Sequence, residues 1–264
     1  MDARSSRTVR YAVASTKVVA RLVTGAQAVH SGFWLGLLTP EQLDAATIEF
    51  YRTHDQFRDP MHNLRGLSGW ETRVITAHTE PGTRVLVPST GAGREILALG
   101  DLGYLATGYD PTPELVDLGR RLITETGSSA ALLDSHGNGL PEGLNPPYDW
   151  ALFGWGSISH VQGRENRIAL FCDIHDVVSP GGVFIVSFLA RQPHSSRFGT
   201  IYRVAKIVRD LRRSRDSLQL GDTLNGSFDH HFTFNEIAGE LVDAGFEELE
   251  RIAEPYPHMV LRRV

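Results

Sequence analysis

The sequence predicts an α/β fold, a mostly parallel sheet with helices on both faces, preceded by a helical N-terminal extension. Three observations carry this. Val85 to Asp110, VLVPSTGAGREILALGDLGYLATGYD, runs from an apolar strand through small residues into a helix-like segment, then returns to a second strand that ends on a carboxylate. Strand candidates then alternate with helix-like segments as far as Phe188, the pattern of a parallel sheet covered on both sides. The last two strand candidates, Glu248 to Ile252 and His258 to Arg262, have only a short segment with Pro255 and Pro257 between them. No crossover helix fits there, so these two pair antiparallel.

Taken in chain order, the elements follow from spacing and punctuation. Val9, Val13, Val18, Val19 and Leu22 recur at helical spacing between basic residues, giving a helix from Ser6 to about Ala28. Thr39, Pro40 and Glu41 are a helix start signal, and a second helix spans about Pro40 to His54. HNLRGLSGWETRVITAH supplies a third, short helix before the Pro81-Gly82 turn. The strands follow at Arg84 to Val87, Tyr104 to Gly108, Ala130 to Leu133, Trp150 to Phe153 and Gly182 to Phe188, the last launched by the SPGG turn. Ala190 to Phe228 is too long for a plain loop and carries a helix over IYRVAKIVRDLRR.

Composition bounds the function. A chain of 264 residues, 41% hydrophobic and 22% charged, holds one large globular domain with a modest appendage. The net charge of -5 gives no drive toward nucleic acid or anionic membranes. The single cysteine, Cys172, excludes an intrachain disulfide and fits a reducing compartment; its apolar setting, IALFCDIHDVV, reads as packing. No apolar run approaches the roughly 18 residues of a membrane span, and Arg7, Arg10, Lys17 and Arg21 interrupt any signal-peptide core. The expected location is the cytoplasm. Five basic groups against Asp2 in the first 40 residues fit a basic amphipathic helix and, equally, a transit-type segment.

The glycine turn carries the chemistry. At a helix N-terminus the backbone N–H groups are free, and Gly91 and Gly93 let a ligand approach them closely. Asp110 follows Gly93 by 17 residues and closes the second strand, where a carboxylate accepts both hydroxyls of a ribose. A dinucleotide fingerprint asks for a third glycine where this chain has Ile96. That weakens the dinucleotide reading. GYDPTPELVDLGRRL, YDWALFGWGSISHV, VVSPGGVFIVSF and FTFNEIAGELVDAGFEELERI together resemble the class I S-adenosylmethionine-dependent methyltransferases, over about Pro81 to Val264.

The resemblance implies a seven-stranded doubly wound sheet of order 3-2-1-4-5-7-6 with strand 7 antiparallel. It divides the chain into a helical extension or lid over residues 1–80 and a cofactor-binding domain over 81–264, with a substrate-side insertion at about 190–230. It also implies S-adenosyl-L-methionine as cofactor, leaving as S-adenosyl-L-homocysteine. Ser89, Thr90, Gly91 and Gly93 then lie under the methionine part, and Asp110, with Pro111 beside it, takes the ribose. Asp134, next to Ser135, stands where the family places an acid for the adenine amino group, and Phe153, Gly154 and Trp155 line the adenosine and sulfonium region. Two positions depart from the family pattern: Val87 replaces the usual acid and Ser89 the first glycine. Arg65 in the extension is therefore a candidate for the cofactor carboxylate, with a surface arginine as the alternative.

Methyl transfer requires mainly alignment of the acceptor, plus proton removal when the acceptor is a hydroxyl. His160, a few residues past the fourth strand, is the candidate base, or else a first-turn residue of the next helix. Tyr51, Trp70 and His231 are candidate substrate contacts, although aromatics such as Phe33, Trp34, Phe50, Tyr51 and Trp70 also pack helices onto domains. Neither the adjacent His230 and His231 nor the His54 and His62 pair forms a ligand cluster, so no metal is expected. Arg203, Lys206, Arg209, Arg212, Arg213 and Arg215 suit an anionic acceptor if the insertion caps the pocket, and otherwise form a solvated face. HSGFWLGLLTPEQLDAA resembles the entry segment of several enzymes of secondary metabolism. The reading is a methyltransferase acting on O or N of a small molecule, with no nucleic-acid or membrane partner and a homodimer as the assembly to test. A protein or RNA methyltransferase and a catalytically idle binding module are the alternatives. NPPY at Asn145 to Tyr148 precedes the fourth strand, on the wrong side for the nucleobase and glutamine amide enzymes.

Overall fold

Nine strands form, each a short run of residues closed by a turn: β1 (Arg84–Pro88), β2 (Leu105–Asp110), β3 (Ala131–Asp134), β4 (Tyr148–Phe153), β5 (Val178–Ser187), β6 (Asp222–Asn225), β7 (Ser227–His230), β8 (Phe246–Ile252) and β9 (His258–Arg263). They belong to a computed structural model that describes residues 7–137 and 139–264. Ser6, where the sequence places the start of the first helix, and Asp2 lie outside the described residues. The main sheet has the order β3-β2-β1-β4-β5-β9-β8, and β9 runs antiparallel to both of its neighbours. Counted within that sheet alone, this is the 3-2-1-4-5-7-6 order, as the resemblance implied.

Alternation of side chains along the strands splits the core into two layers. Leu86, Ala151, Phe153, Phe184 and Val186 face one layer with α8 (Arg164–Val177) and α10 (Phe234–Asp243). Val85, Val87, Trp150, Leu152 and Ile185 face the other, against α5 (Gly69–His78), α6 (Arg94–Asp101) and α7 (Pro113–Thr126). The central strand β1 thus buries both faces, which places the turn after it at the middle of the sheet's carboxyl edge. That is where ligands bind in open parallel sheets.

The extension comprises α1 (Arg7–Leu37), α2 (Pro40–Thr53) and two short turns, α3 (Asp55–Arg58) and α4 (Pro60–Asn63), ahead of α5. Thr39 caps α2 in a capping box with Gln42, with Pro40 in the first turn, as the start signal indicated. The first helix runs nine residues past Ala28, through Gly32 and Gly36. Those glycines are there for contact. A Cβ on Gly32 would meet the Ile201 carbonyl oxygen at 2.6 Å, and one on Gly36 the Ala205 carbonyl oxygen at 2.6 Å, so α1 crosses α9 (Ser196–Arg212) backbone to backbone. Among the described residues no helix is long and apolar enough to cross a membrane.

The insertion after β5 holds the expected helix, α9, and in addition the β6–β7 hairpin, turned at Gly226 with φ of +94°. A Cβ there would meet the Phe50 ring at 2.8 Å, so the hairpin tip lies against α2. Gly36→Val is expected to destabilise the fold by roughly 1–3 kcal/mol in urea unfolding, because a backbone carbonyl cannot yield to the added side chain. Gly25→Ala, on the exposed part of α1 with nothing within 4 Å of its Cβ, is expected to cost no stability in the same assay.

Candidate functional site

The turn after β1 alternates left-handed residues: Ser89 at φ 50°, Gly91 at φ 59° and Gly93 at φ 89°. Ser89 keeps the backbone form that a glycine would adopt freely, at a cost of about 1–2 kcal/mol for an L-residue. Gly93 is the N-cap of α6. Ile96, at the third fingerprint position, is accommodated from the opposite side. A Cβ on Gly108 of β2 would come within 3.0 Å of the Ile96 side chain and 2.7 Å of Thr90, so the glycine that permits close helix-to-strand packing sits on the strand.

Asp110 ends β2 and is 7% exposed. Gly91 N–H donates to its Oδ2 at 2.7 Å and Thr112 N–H to its Oδ1 at 2.9 Å. Burial pushes its carboxyl above the ordinary carboxylate range, against the pull of these backbone donors and of His160. One residue therefore fixes the glycine turn and presents a charge to the space above it.

A buried ion network joins the extension to this turn. Glu71 accepts from Arg94 Nη1 at 2.9 Å and Nη2 at 2.6 Å, and also from Ser68 N–H and Oγ at the start of α5. Arg94 Nη2 also donates to Glu95 at 2.6 Å, and Glu95 accepts from Thr90 Oγ1 at 3.2 Å. Burial opposes the charge on Arg94, and the two carboxylates outweigh it, holding the guanidinium protonated above its usual range. Glu95 explains Gly154, where a Cβ would stand 2.8 Å from Oε1. Next to it Trp155 is left-handed at φ 49°, with the guanidinium groups of Arg65 and Arg94 over its ring at 5.3 and 5.4 Å.

These elements enclose a cavity of about 360 Å³. Its floor is the turn Ser89–Glu95 with Asp110, Pro111 and Thr112; its roof is Ile48, Tyr51, Phe57 and His62 of the extension. Ser157 also lines it, with a buried hydroxyl that has no hydrogen-bond partner among the described residues. His160 closes a short 3-10 helix, Ser157–His160, and lines the cavity. Its Nε2 is 2.7 Å from Tyr51 Oη; its Nδ1 is 2.9 Å from Phe228 O and 3.2 Å from Asp229 Oδ1. Burial opposes protonation of this imidazole, but Asp229 outweighs it, and the ring titrates above its ordinary range. Tyr51, desolvated and near Asp229 and Asp110, is held as a phenol far above its usual value.

Of the residues singled out from sequence, the cavity brings together Ser89, Thr90, Gly91, Asp110, Pro111, Gly154, Trp155, Arg65, Tyr51 and His160. Gly93 stands just behind it as the α6 cap. Five further candidates from the sequence do not line the cavity. Asp134 turns outward to Arg120 at 2.7 Å, and Ser135 is buried beneath it. Phe153 belongs to a core layer, because strand alternation sends its side chain to the sheet face packed under α8 and α10. Trp70 is buried on the other layer, stacked on Tyr256 at 5.4 Å, and is a packing residue of α5. His231 packs on Phe198 at 4.9 Å, and burial lowers its titration range. Nor do Arg203, Lys206, Arg209 or Arg212 reach the cavity. Arg209 and Arg212 donate to the Leu35 and Gly36 carbonyls at the end of α1, and Lys206 pairs with Asp210. Among the described residues no group of three or more His, Cys, Asp or Glu could hold a metal ion.

Sequence reasoning missed Asp229 and the network of Glu71, Arg94 and Glu95. The Asn225-Gly226 pair in TLNGSFD is a hairpin signal that would have placed Asp229 on a strand next to the insertion's turn. The arginine network joins residues from two segments and leaves no local pattern.

No protein-family model matches the chain, and no curated protein matches it by sequence. Solved structures do match in fold. A protein of Methanosarcina mazei described as an S-adenosylmethionine-dependent methyltransferase superposes with a TM-score of 0.60 at 17% identity, covering 75% of this chain and 99% of that one. The CcbJ methyltransferase of Streptomyces caelestis gives 0.60 at 16% identity, over 83% and 99%. The magnesium protoporphyrin IX methyltransferase of Synechocystis, solved with bound S-adenosylhomocysteine, gives 0.53 at 15% identity, over 82% and 97%. The fold is that of the class I S-adenosylmethionine-dependent methyltransferases.

Arg94→Met is expected to destabilise the protein by about 3–5 kcal/mol, since it leaves Glu71 and Glu95 buried without their cation. Denaturant unfolding measures this. A loss below about 1 kcal/mol, the level of an exposed pair, would show that the network is solvated.

Proposed function

We propose that this chain is an S-adenosylmethionine-dependent methyltransferase that acts on oxygen or nitrogen of a small-molecule acceptor. The observation that carries the reading is Asp110: a buried carboxylate at the end of β2, bonded to the glycine turn and facing an enclosed cavity at the middle of the sheet's carboxyl edge. The residues present suit the cofactor. Ser89 to Gly93 would pass beneath its methionine part, Asp110 would take the ribose hydroxyls, and Gly154 and Trp155 would flank the sulfonium region. Arg65, on the rim over Trp155, would meet the amino-acid carboxylate. The unpartnered Ser157 hydroxyl offers a further polar contact.

S-adenosylmethionine, when bound, supplies an electrophilic methyl carbon whose bonding pair departs with sulfur. The chain's own contribution is then to hold the acceptor in line, exclude water and accept a proton. A cavity roofed by α2 to α4 favours a small molecule over a polymer, and the net charge of -5 favours no nucleic acid. Arg209, Arg212 and Lys206 of the insertion are bonded away from the cavity, so an uncharged acceptor fits better than an anionic one. The single, unpaired cysteine fits an enzyme of a reducing compartment such as the cytoplasm.

Calorimetry with S-adenosylmethionine and S-adenosylhomocysteine tests the proposal, and both are expected to bind. Asp110→Ala should weaken either by about 1.5–3 kcal/mol, the scale of hydrogen bonds to a charge. Absence of binding by both ligands to the folded wild type would overturn the reading.

A further inference from the structure

Three side chains from three separate elements are joined in one chain, and two of them, Tyr51 and His160, line the cavity. Tyr51 comes from α2, His160 from the turn after β4, and Asp229 from β7. Tyr51 Oη lies 2.7 Å from His160 Nε2, and Asp229 Oδ1 lies 3.2 Å from His160 Nδ1. A tie between the outer two elements fixes the arrangement: Phe228 N–H, beside Asp229, donates to Thr47 Oγ1, one turn before Tyr51, at 3.0 Å. The Tyr51 ring is held against Phe57 at 4.7 Å. A buried phenol satisfying an imidazole would be ordinary packing if the pair faced the core. Here both residues line the cavity.

The order of the three groups decides who meets the acceptor. Nδ1 of His160 faces a carboxylate and a carbonyl oxygen, both acceptors, so in the neutral imidazole the proton is on Nδ1 and Nε2 has the lone pair. Tyr51 then donates its hydroxyl proton to Nε2. The nitrogen that would serve as base is occupied by the phenol, and the group of this chain left to meet an acceptor in the cavity is the phenol oxygen. We infer that Tyr51, His160 and Asp229 form a proton relay, with Tyr51 contacting the acceptor, and that the acceptor of this site is a hydroxyl on an uncharged, largely apolar small molecule. This rests on reading the site as a methyl-transfer centre.

The chemistry selects oxygen over nitrogen. A neutral amine attacks through a lone pair it already has and sheds its proton afterwards, whereas a hydroxyl attacks well only as its proton leaves. In the relay the acceptor's proton passes to Tyr51 Oη as the phenolic proton passes to Nε2. The bond formed is oxygen to methyl carbon, the bond broken is methyl carbon to sulfur, and sulfur keeps that pair. The proton comes to rest on His160, where Asp229 stabilises the imidazolium, and leaves to solvent. Asp229 acts through His160 and is a positioning residue.

The surroundings support an uncharged, apolar body. Ile48, Phe57, Leu115 and Val161 line the cavity together with Tyr51. The ionisable groups that act on His160 are Asp229 from β7 and Asp110 from β2, both acids, with neutral Tyr51 from α2. An anionic acceptor would meet like charge on two sides. The neutral imidazole needed by the relay grows in population as pH rises through the raised midpoint that Asp229 gives it.

The test uses the full chain saturated with S-adenosylhomocysteine and follows the His160 imidazole by NMR across pH, with phenol and anisole as probes. His160 is expected to titrate above its ordinary range, and Asp229→Asn to lower the midpoint by about one unit or more, with Asp229→Glu restoring it. Phenol, whose hydroxyl can enter the relay, should shift the His160 signal, and anisole, which has none, should not. In Tyr51→Phe, which retains the ring, the phenol response should fall at least severalfold; circular dichroism confirms that each variant is folded. Equal responses to phenol and anisole, no response to phenol, or an unmoved midpoint in folded Asp229→Asn would each overturn the relay. Failure of S-adenosylhomocysteine to bind the wild type would instead overturn the methyl-transfer reading beneath it.

Discussion

A single guanidinium buried between two carboxylates joins the extension to the sheet. Arg94 begins the helix after the glycine turn, Glu71 belongs to the extension's last helix, and Glu95 reaches under Gly154 beside β4. Three buried charges in contact are costly to desolvate, and well-packed apolar residues would do as well or better for stability alone. Their value lies in geometry. Planar bidentate bonding sets Glu71 against Arg94 in one orientation, so the roof of the cavity is placed relative to its floor. Trp155, whose left-handed backbone is strained, is held beneath the same guanidinium.

The cavity's own charge balance follows from this. Arg94 is consumed by its two carboxylates, which leaves the acids Asp110, Asp44 and, through His160, Asp229 as the dominant charges at the wall. Burial raises both Asp110 and Asp44 above their ordinary ranges, with the desolvation of each charge as the leading cause. A cationic guest would offset that cost, whereas an anionic one would add to it. The proposed cofactor would bring a positively charged sulfonium, and its carboxylate would go to the rim, where Arg65 stands.

Local pattern makes the carboxyl edge of the sheet legible. The apolar strand, the glycine turn and the terminal Asp110 are adjacent in sequence and obey short-range steric rules, so the amino-acid order alone places the turn and its acid. The antiparallel β8–β9 pair follows from a loop too short for a crossover. What pattern does not supply is contact between segments. Trp70 and His231 look available because aromatic and imidazole side chains suit both cores and pockets, and only packing on Tyr256 and Phe198 decides between them. Gly32 and Gly36 are poor helix formers, yet α1 runs through them and they let it touch α9. Asp229 is hidden because its role is set by residues far earlier in the chain.

Part of the basic run of the insertion serves neither a ligand nor a purely solvated face, but a helix end. Arg209 and Arg212 donate to the carbonyls of Leu35 and Gly36, the last turn of α1, where the helix dipole is negative and the carbonyls lack intrahelical donors. The Leu224 N–H of β6 donates to Ser31 Oγ on the same helix at 2.9 Å. The insertion therefore docks on α1 through its arginines and one strand, and its hairpin is thereby carried to α2, where Thr47 receives Phe228. Asp229 on that hairpin then reaches His160. Cations remote from the cavity thus help to seat, together with the apolar packing of α1 on α9, the strand that carries Asp229.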